Sequence, residues 1–342
     1  MKFISLSIFG LLSISLFFNK DRIFNLFYTN EKIKGITLVA PPNPFPKNPI
    51  EPITNTGANW IALIPYAFSS FGKPAVHYEP NNWQWWGERP EGIRESIRLA
   101  KEKGIQVLLK PQVYIHKSWV GSMDFTTEAD WQIWEKEYAA YLNQFIQIAI
   151  ETQVEMVCIA TEYNIAVIKR EAFFRKLISD IRKIYKGKLC YSANWDHYLE
   201  VPFWDALDYI GISAYFPLTE EKTPEVNYLK QKWKNFIPDM EKHSNRLNKK
   251  IIFTEYGYLS VDGSAGKGWE IEKQIEQYAI NQQTQANAYE AMYESLWNKK
   301  WWAGGFLWKW FPNGEGHEGY IEKDYTPQGK QAEQIIQKWY RK

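Results

Sequence analysis

Cysteine is scarce in this 342-residue chain, which has only Cys158 and Cys190. Two thiols exclude a disulfide-stapled fold and a cysteine-rich zinc module; small core thiols are the expectation. Histidine is nearly as rare. Five residues scattered along the sequence argue against a histidine-based metal site. Charge of one sign is missing as well: 41 Lys and Arg against 39 Asp and Glu leave a net +2. That supplies no field for nucleic acid or an anionic membrane surface. No proline/glycine-rich, glutamine/asparagine-rich or single-charge segment points to extended disorder. What is plentiful is aromatic, with 17 Trp, 21 Tyr and 19 Phe. That exceeds what a core is expected to need and predicts a surface that stacks flat apolar faces.

The first residues read separately from the rest. Lys2 precedes an uncharged, apolar-rich run over 3–18, and Asn19-Lys20-Asp21-Arg22 follows. A basic start, an apolar run and a polar flank predict an export signal or an uncleaved signal anchor within 1–28. A catalytic domain over 29–342 then stands outside the cytoplasm.

From Lys34 onward, short apolar runs alternate with amphipathic stretches. The runs cover 35–40, 60–65, 105–111, 154–160, 188–192, 207–213, 251–254 and 303–308. They are near-continuous in Val, Ile, Leu and aromatics, as parallel strands buried on both faces require. Helical patterns are expected over 90–103, 128–152, 169–185, 227–247, 270–298 and 327–340. Eight such repeats predict an α/β protein, a single (β/α)8 TIM barrel. An open dinucleotide-binding sheet is excluded, because the first run leads into Pro41-Pro42-Asn43-Pro44-Phe45-Pro46, which cannot cradle a pyrophosphate.

In such a barrel the chemistry sits at the C-terminal ends of the strands. Strands four and seven each end in Thr-Glu-Tyr, at Thr161-Glu162-Tyr163 and Thr254-Glu255-Tyr256. Period-two alternation puts Met156, Cys158, Ala160 and Glu162 on one face, and Ile251, Phe253 and Glu255 on one face of the other strand. A carboxylate behind an apolar stem is costly to bury unless something pairs or uses it. Two of them suit hydrolysis of a glycosidic bond, one carboxyl protonated and the other ionised. Other motifs fail. Residues 263–269 resemble a phosphate loop in composition only and read as a mobile loop; His317-Glu318 has Ile321 where a zinc helix needs histidine; no G-x-S-x-G occurs.

The ordered set of segments resembles clan A of the glycoside hydrolases, and within it glycoside hydrolase family 113. The resemblance is carried by Thr161-Glu162, Phe253-Thr254-Glu255-Tyr256-Gly257, Leu109-Lys110-Pro111 and Tyr191-Ser192-Ala193-Asn194-Trp195. Gly305-Phe306-Leu307-Trp308-Lys309-Trp310 and Asp324-Tyr325-Thr326-Pro327-Gln328-Gly329-Lys330 complete it, so that it runs from about Lys34 to Tyr340. It implies a retaining endo-β-1,4-mannanase acting by double displacement, with Glu162 as general acid/base and Glu255 as nucleophile. Most clan A families carry Asn before the acid/base to contact the sugar 2-hydroxyl. Thr161 stands there in this chain, and Asn194 is a candidate for that contact. The resemblance also implies that Tyr215 bonds the nucleophile and that Trp308 is a stacking platform. Lys110, Trp195, His116 and Trp310 join them as expected substrate-binding residues, with Gln112, Asp196 and His197 nearby and Trp83, Trp85 and Trp86 extending the cleft. The expected partner is a β-linked polysaccharide or oligosaccharide. No cofactor, metal, nucleic acid or protein partner is called for. Another retaining β-glycanase of the clan (glucan, xylan or galactan) and a catalytically inactive carbohydrate-binding barrel remain the alternatives, with a phosphate-binding barrel enzyme more distant.

Overall fold

A computed structural model describes residues 31–79, 84–316 and 319–342. The expected export segment within 1–28 lies outside the described residues, as do Trp83, His317 and Glu318. Eight parallel strands close into a barrel in the order β1-β8-β7-β6-β5-β4-β3-β2. They are β1 (Ile33–Leu38), β2 (Trp60–Leu63), β3 (Gln106–Leu109), β4 (Met156–Thr161), β5 (Lys188–Asn194), β6 (Ile210–Ser213), β7 (Ile251–Tyr256) and β8 (Trp302–Trp310). Helices fill most of the intervals between them, so the expected (β/α)8 barrel is the observed fold.

The helix boundaries carry corrections with local causes. The pattern over 227–247 is two helices, Val226–Trp233 and Ile237–Leu247, the second beginning with Pro238 in its first turn. Proline lacks the amide that would continue a helix but fits a helix start. The pattern over 270–298 is a short helix Gly268–Glu272, a 3-10 turn Ile275–Gln277, and a long helix Gln282–Leu296. Asn281 starts the last of these by accepting the Thr284 amide at 3.0 Å. A short helix Ile50–Asn55, unmarked by any sequence pattern, follows the proline-rich loop after β1.

The barrel interior is layered. Its floor is an apolar cluster drawn from the strands, including Ile33, Trp60, Leu108, Met156, Phe306 and the two cysteines. Cys158 and Cys190 face each other in register and are free, buried thiols. Above them the hydroxyls of Ser192, Ser213 and Thr254 bond one another, at 2.9 Å for Ser192–Ser213 and 2.5 Å for Ser192–Thr254. The larger core lies between strands and helices, and it takes much of the aromatic content. Trp134, Trp204, Trp233 and Trp302 are fully buried in it. The aromatic excess therefore serves packing first, and only a subset reaches the surface.

Pro65 and Pro111 end β2 and β3, since neither can donate to a ladder. Beyond them the two chains pair again as Tyr66–Ser69 and Gln112–Ile115, a parallel pair that raises one wall above the rim. On the far side, Gly211 of β6 lies so close to β5 that a Cβ there would sit 2.1 Å from the Tyr191 carbonyl oxygen. Gly211→Ala forces that strand pair apart beneath the hydroxyl layer. Overpacking of this kind costs ~1–3 kcal/mol, and thermal unfolding of the variant is expected several degrees below wild type.

Candidate active site

Two backbone irregularities deliver the glutamates. Simple alternation fails on both strands. On β7, Ile251, Phe253 and Tyr256 lie in the outer core, while Ile252 belongs to the barrel floor and Thr254 to the hydroxyl layer. The register against β6 slips between Ile212–Phe253 and Ser213–Glu255, a bulge that turns Glu255 inward directly after Thr254. Glu255 thus does not share a face with Ile251 and Phe253. On β4 the register against β5 slips between Cys158 and Thr161, which places Ala160 in the outer core rather than with Cys158. Glu162 then adopts φ +57°, and its amide donates to the Ser192 carbonyl at 2.7 Å. A non-glycine residue in the left-handed region is a strained conformation of the kind concentrated at functional sites.

The two carboxyls have opposite surroundings. Glu255 is 8 % exposed, and its Oε1 takes an ion pair from Lys110 Nζ and a hydrogen bond from Gln112 Nε2 at 3.0 Å. Its Oε2 accepts from the Tyr215 hydroxyl at 3.0 Å. Each partner is a hydrogen-bond donor, matched to the acceptor oxygens of the carboxyl. Glu162 is half-buried, and burial together with the negative charge of Glu255 holds its carboxyl above the usual range. Donors from Trp119 and Ser213, and the Lys110 charge, act in the other direction. The Trp119 indole N–H meets Glu162 Oε2 at 2.7 Å.

Both glutamates line two adjoining recesses, of about 550 and 180 Å3. The larger is walled by Asn194, Trp195, Tyr215, Trp269 and Trp308. Trp195 and Trp269 stack at 6.1 Å and 28°. Asn194 donates to Asp196 at 2.8 Å, and both face this recess. Trp308 also lines a third cavity of about 620 Å3, together with Tyr66, Gln84, Trp85, Glu88 and Tyr114. Trp85 in turn borders a fourth hollow against the proline-rich loop. The three hollows nearest the carboxyls adjoin through shared lining residues, Trp308, Tyr66 and Tyr114.

Several expected substrate contacts are corrected by this geometry. Lys110 has no exposure at all and is in ion contact with Glu255, and it lines neither carboxylate recess. Trp310 is 3 % exposed and belongs to the outer core, since it points to the helix layer at the end of β8. His116 is exposed and lines neither carboxylate recess. The strand ends at Ile115 and a left-handed Lys117 turns the chain away. Trp86 packs edge-on against Phe45 at 5.2 Å, and His197 pairs with Glu200 at 3.2 Å, both outside the two recesses. The segment 263–266 is buried, not a free loop, with Leu218 donating to Ala265 at 2.8 Å and Gly263 to Lys222 at 3.1 Å. Sequence reasoning missed Tyr66, Tyr114, Trp119 and Trp269. Only Trp119 carried a usable signal, a tryptophan after strand three followed two residues later by glycine.

The sequence profile of Glycoside Hydrolase Family 113 matches residues 43–330. The chain belongs to glycoside hydrolase family 113. It is therefore a glycoside hydrolase by family, with a carbohydrate as its class of substrate. A family 113 β-mannanase from Alicyclobacillus acidocaldarius, solved in complex with ManMIm, superposes with a TM-score of 0.79 at 26 % identity, over 91 % of this chain and 97 % of that one. A further family 113 structure, of a β-1,4-mannanase, gives 0.77 at 27 % identity over 91 % and 99 %. The β-glucuronidase of Ruminococcus gnavus, at 13 % identity and a TM-score of 0.62 over half of its own chain, shares the fold alone. No curated protein sequence matches the chain. Among the described residues no group of His, Cys, Asp and Glu is arranged to hold a metal ion.

The Lys110–Glu255 pair makes a direct stability prediction. Removing one member of a buried pair strands the other charge and costs ~3–5 kcal/mol, whereas replacing both is far milder. Lys110→Met is expected to lose stability on that scale in chemical denaturation. Adding Glu255→Gln to Lys110→Met should recover a substantial part of the loss.

Proposed function

We propose that this enzyme is a retaining endo-β-1,4-mannanase, with Glu255 as nucleophile and Glu162 as general acid/base. The observation that carries the reading is the split environment of the two glutamates: three donors converge on Glu255, while Glu162 is pushed toward its protonated form in the same recess. A carboxyl ringed by donors beside one biased toward its protonated form suits a nucleophile and an acid. Glu255 attacks the anomeric carbon as Glu162 gives its proton to the leaving oxygen, and a glycosyl ester forms. Glu255 is then uncharged, so Glu162 ionises more readily. It takes a proton from water, whose oxygen displaces Glu255 and restores the starting state with the original anomeric configuration.

The similarity to β-mannanases of the family supports mannan or glucomannan as substrate, and a row of adjoining hollows beside the carboxyls suits attack within a chain. Trp308, half-buried and shared between two cavities, suits stacking under the apolar face of a pyranose ring. Asn194 suits reading of the sugar 2-hydroxyl. Export is proposed on Lys2 and the run over 3–18 alone. Removing about 25–30 residues should leave an active barrel, because β1 begins at Ile33.

Reducing-sugar release is expected from glucomannan and galactomannan, with little from xylan or cellulose, and proton NMR should show β-anomers forming first. Vigorous xylan or glucan cleavage without mannan cleavage moves the enzyme to another specificity. Trp308→Ala should lower kcat/KM about tenfold or more. Glu255→Ala should form no glycosyl-enzyme with any substrate. Glu162→Ala should retain a first step on substrates with good leaving groups and yield a β-glycosyl azide with azide. An α-azide from that variant reverses the two roles.

A further inference from the structure

Trp119 lies on the loop that leaves the raised wall, next to a 3-10 turn, Val120–Ser122. Its side chain is 41 % exposed, yet its indole N–H is committed to Glu162 Oε2 at 2.7 Å. An exposed tryptophan ordinarily has many orientations of similar energy. Here the ring lies folded over Gly121. A Cβ at that position would sit 2.3 to 2.5 Å from three carbons of the indole. Only a residue without a side chain leaves the ring its seat, and the seat aims the N–H at the carboxyl.

We infer that Trp119, seated on Gly121, is a positioning residue that fixes which oxygen of Glu162 exchanges the proton. The inference rests on the reading of Glu162 as the acid/base. Indole nitrogen is a donor only, so the oxygen it binds cannot simultaneously present a proton along that line. With Oε2 so occupied, the transferable proton belongs on Oε1, which meets the leaving oxygen in the first step and water in the second. Trp119 lines both carboxylate recesses, where its ring can meet a bound sugar. A sugar stacked on that face excludes water from the N–H···O contact and strengthens it in the lower local dielectric. Substrate binding thereby sharpens the orientation of the group that must act on it.

The groups facing Glu162 are Glu255 from β7, Lys110 beyond β3, Ser213 of β6, and the phenols of Tyr66, Tyr191 and Tyr215. None of these is altered by a change at Trp119, so the effect of losing the N–H can be isolated. Trp119→Phe keeps an aromatic face and deletes the donor. Without it the charged form of Glu162 is less favoured, and the alkaline limb of the kcat/KM–pH profile moves up. The expected shift is about one pH unit, a tenfold change in the ionisation constant, equivalent to ~1.4 kcal/mol. KM for an aryl β-mannobioside should change little. Gly121→Ala, with Trp119 intact but unseated, should move the limb in the same direction.

The test measures these profiles on the full chain for wild type, Trp119→Phe, Gly121→Ala and Glu162→Ala, with thermal melting to verify folding. A limb unmoved in Trp119→Phe, with only KM raised, makes Trp119 a stacking surface and overturns the inference. Trp119→Phe decides the matter even if Gly121→Ala does not fold. An alkaline limb that survives in Glu162→Ala defeats the acid/base assignment itself, and the inference with it. A limb absent in Glu162→Ala yet unmoved in Trp119→Phe defeats the inference alone.

Discussion

A lysine with no solvent exposure, in ion contact with a carboxylate at the mouth of a barrel, constrains most of what surrounds it. Lys110 must be held by a partner of opposite charge, because an isolated ammonium in that setting is strongly disfavoured. Glu255 supplies the charge, and Gln112 and Tyr215 fill its remaining acceptor sites. The hydroxyls of Ser192, Ser213 and Thr254 form a polar layer between this charged group and the apolar floor of the barrel. The site is thus graded from apolar floor to hydroxyls to ions to open cleft. Glu162 sits at the top of that gradient with no cation in direct contact among the described residues, and burial together with the Glu255 charge holds its carboxyl above the usual range.

The positioning of the two carboxyls depends on departures from regular strand geometry. A regular β7 would send Glu255 outward with Ile251 and Phe253 into the helix layer, and no pairing with Lys110 could form. The bulge after Thr254 prevents this. On β4 a register slip and the left-handed Glu162 achieve a similar redirection. The strain at Glu162 is offset by its short amide bond to Ser192 and by the Trp119 contact. Both glutamates are therefore placed by backbone devices that span two strands.

This explains what could be read from the sequence. The barrel was legible because eight buried parallel strands leave eight apolar runs, and the position of Glu162 and Glu255 at strand ends survives an error in facing. The facing itself was not legible, since a bulge is a register relation between strands with no period of its own. Lys110 was recognisable as a buried lysine needing a carboxylate, but not as sealed beneath it. Trp308 and Trp310 looked alike in sequence, separated by the single residue Lys309 at the end of β8. One faces the cleft and the other the helices, a difference that coincides with the register slip of β8 against β1 between Leu307 and Trp310. His116 failed for the opposite reason, because it lies just past the strand end where the chain turns outward.

The aromatic residues show how one composition serves two demands. The fully buried tryptophans fill the wide gap between strands and helices, where large rings pack without requiring further chain length. Those at the mouth are only partly covered, and two lean on a specific neighbour: Trp195 on Trp269, and Trp119 on Gly121. A flexible surface aromatic would lose side-chain freedom when a sugar bound, and that loss would oppose affinity. Rings already held by a neighbour have less freedom to lose. A cleft of pre-seated rings around the two carboxyls can therefore put more of its contact with a bound sugar into orientation.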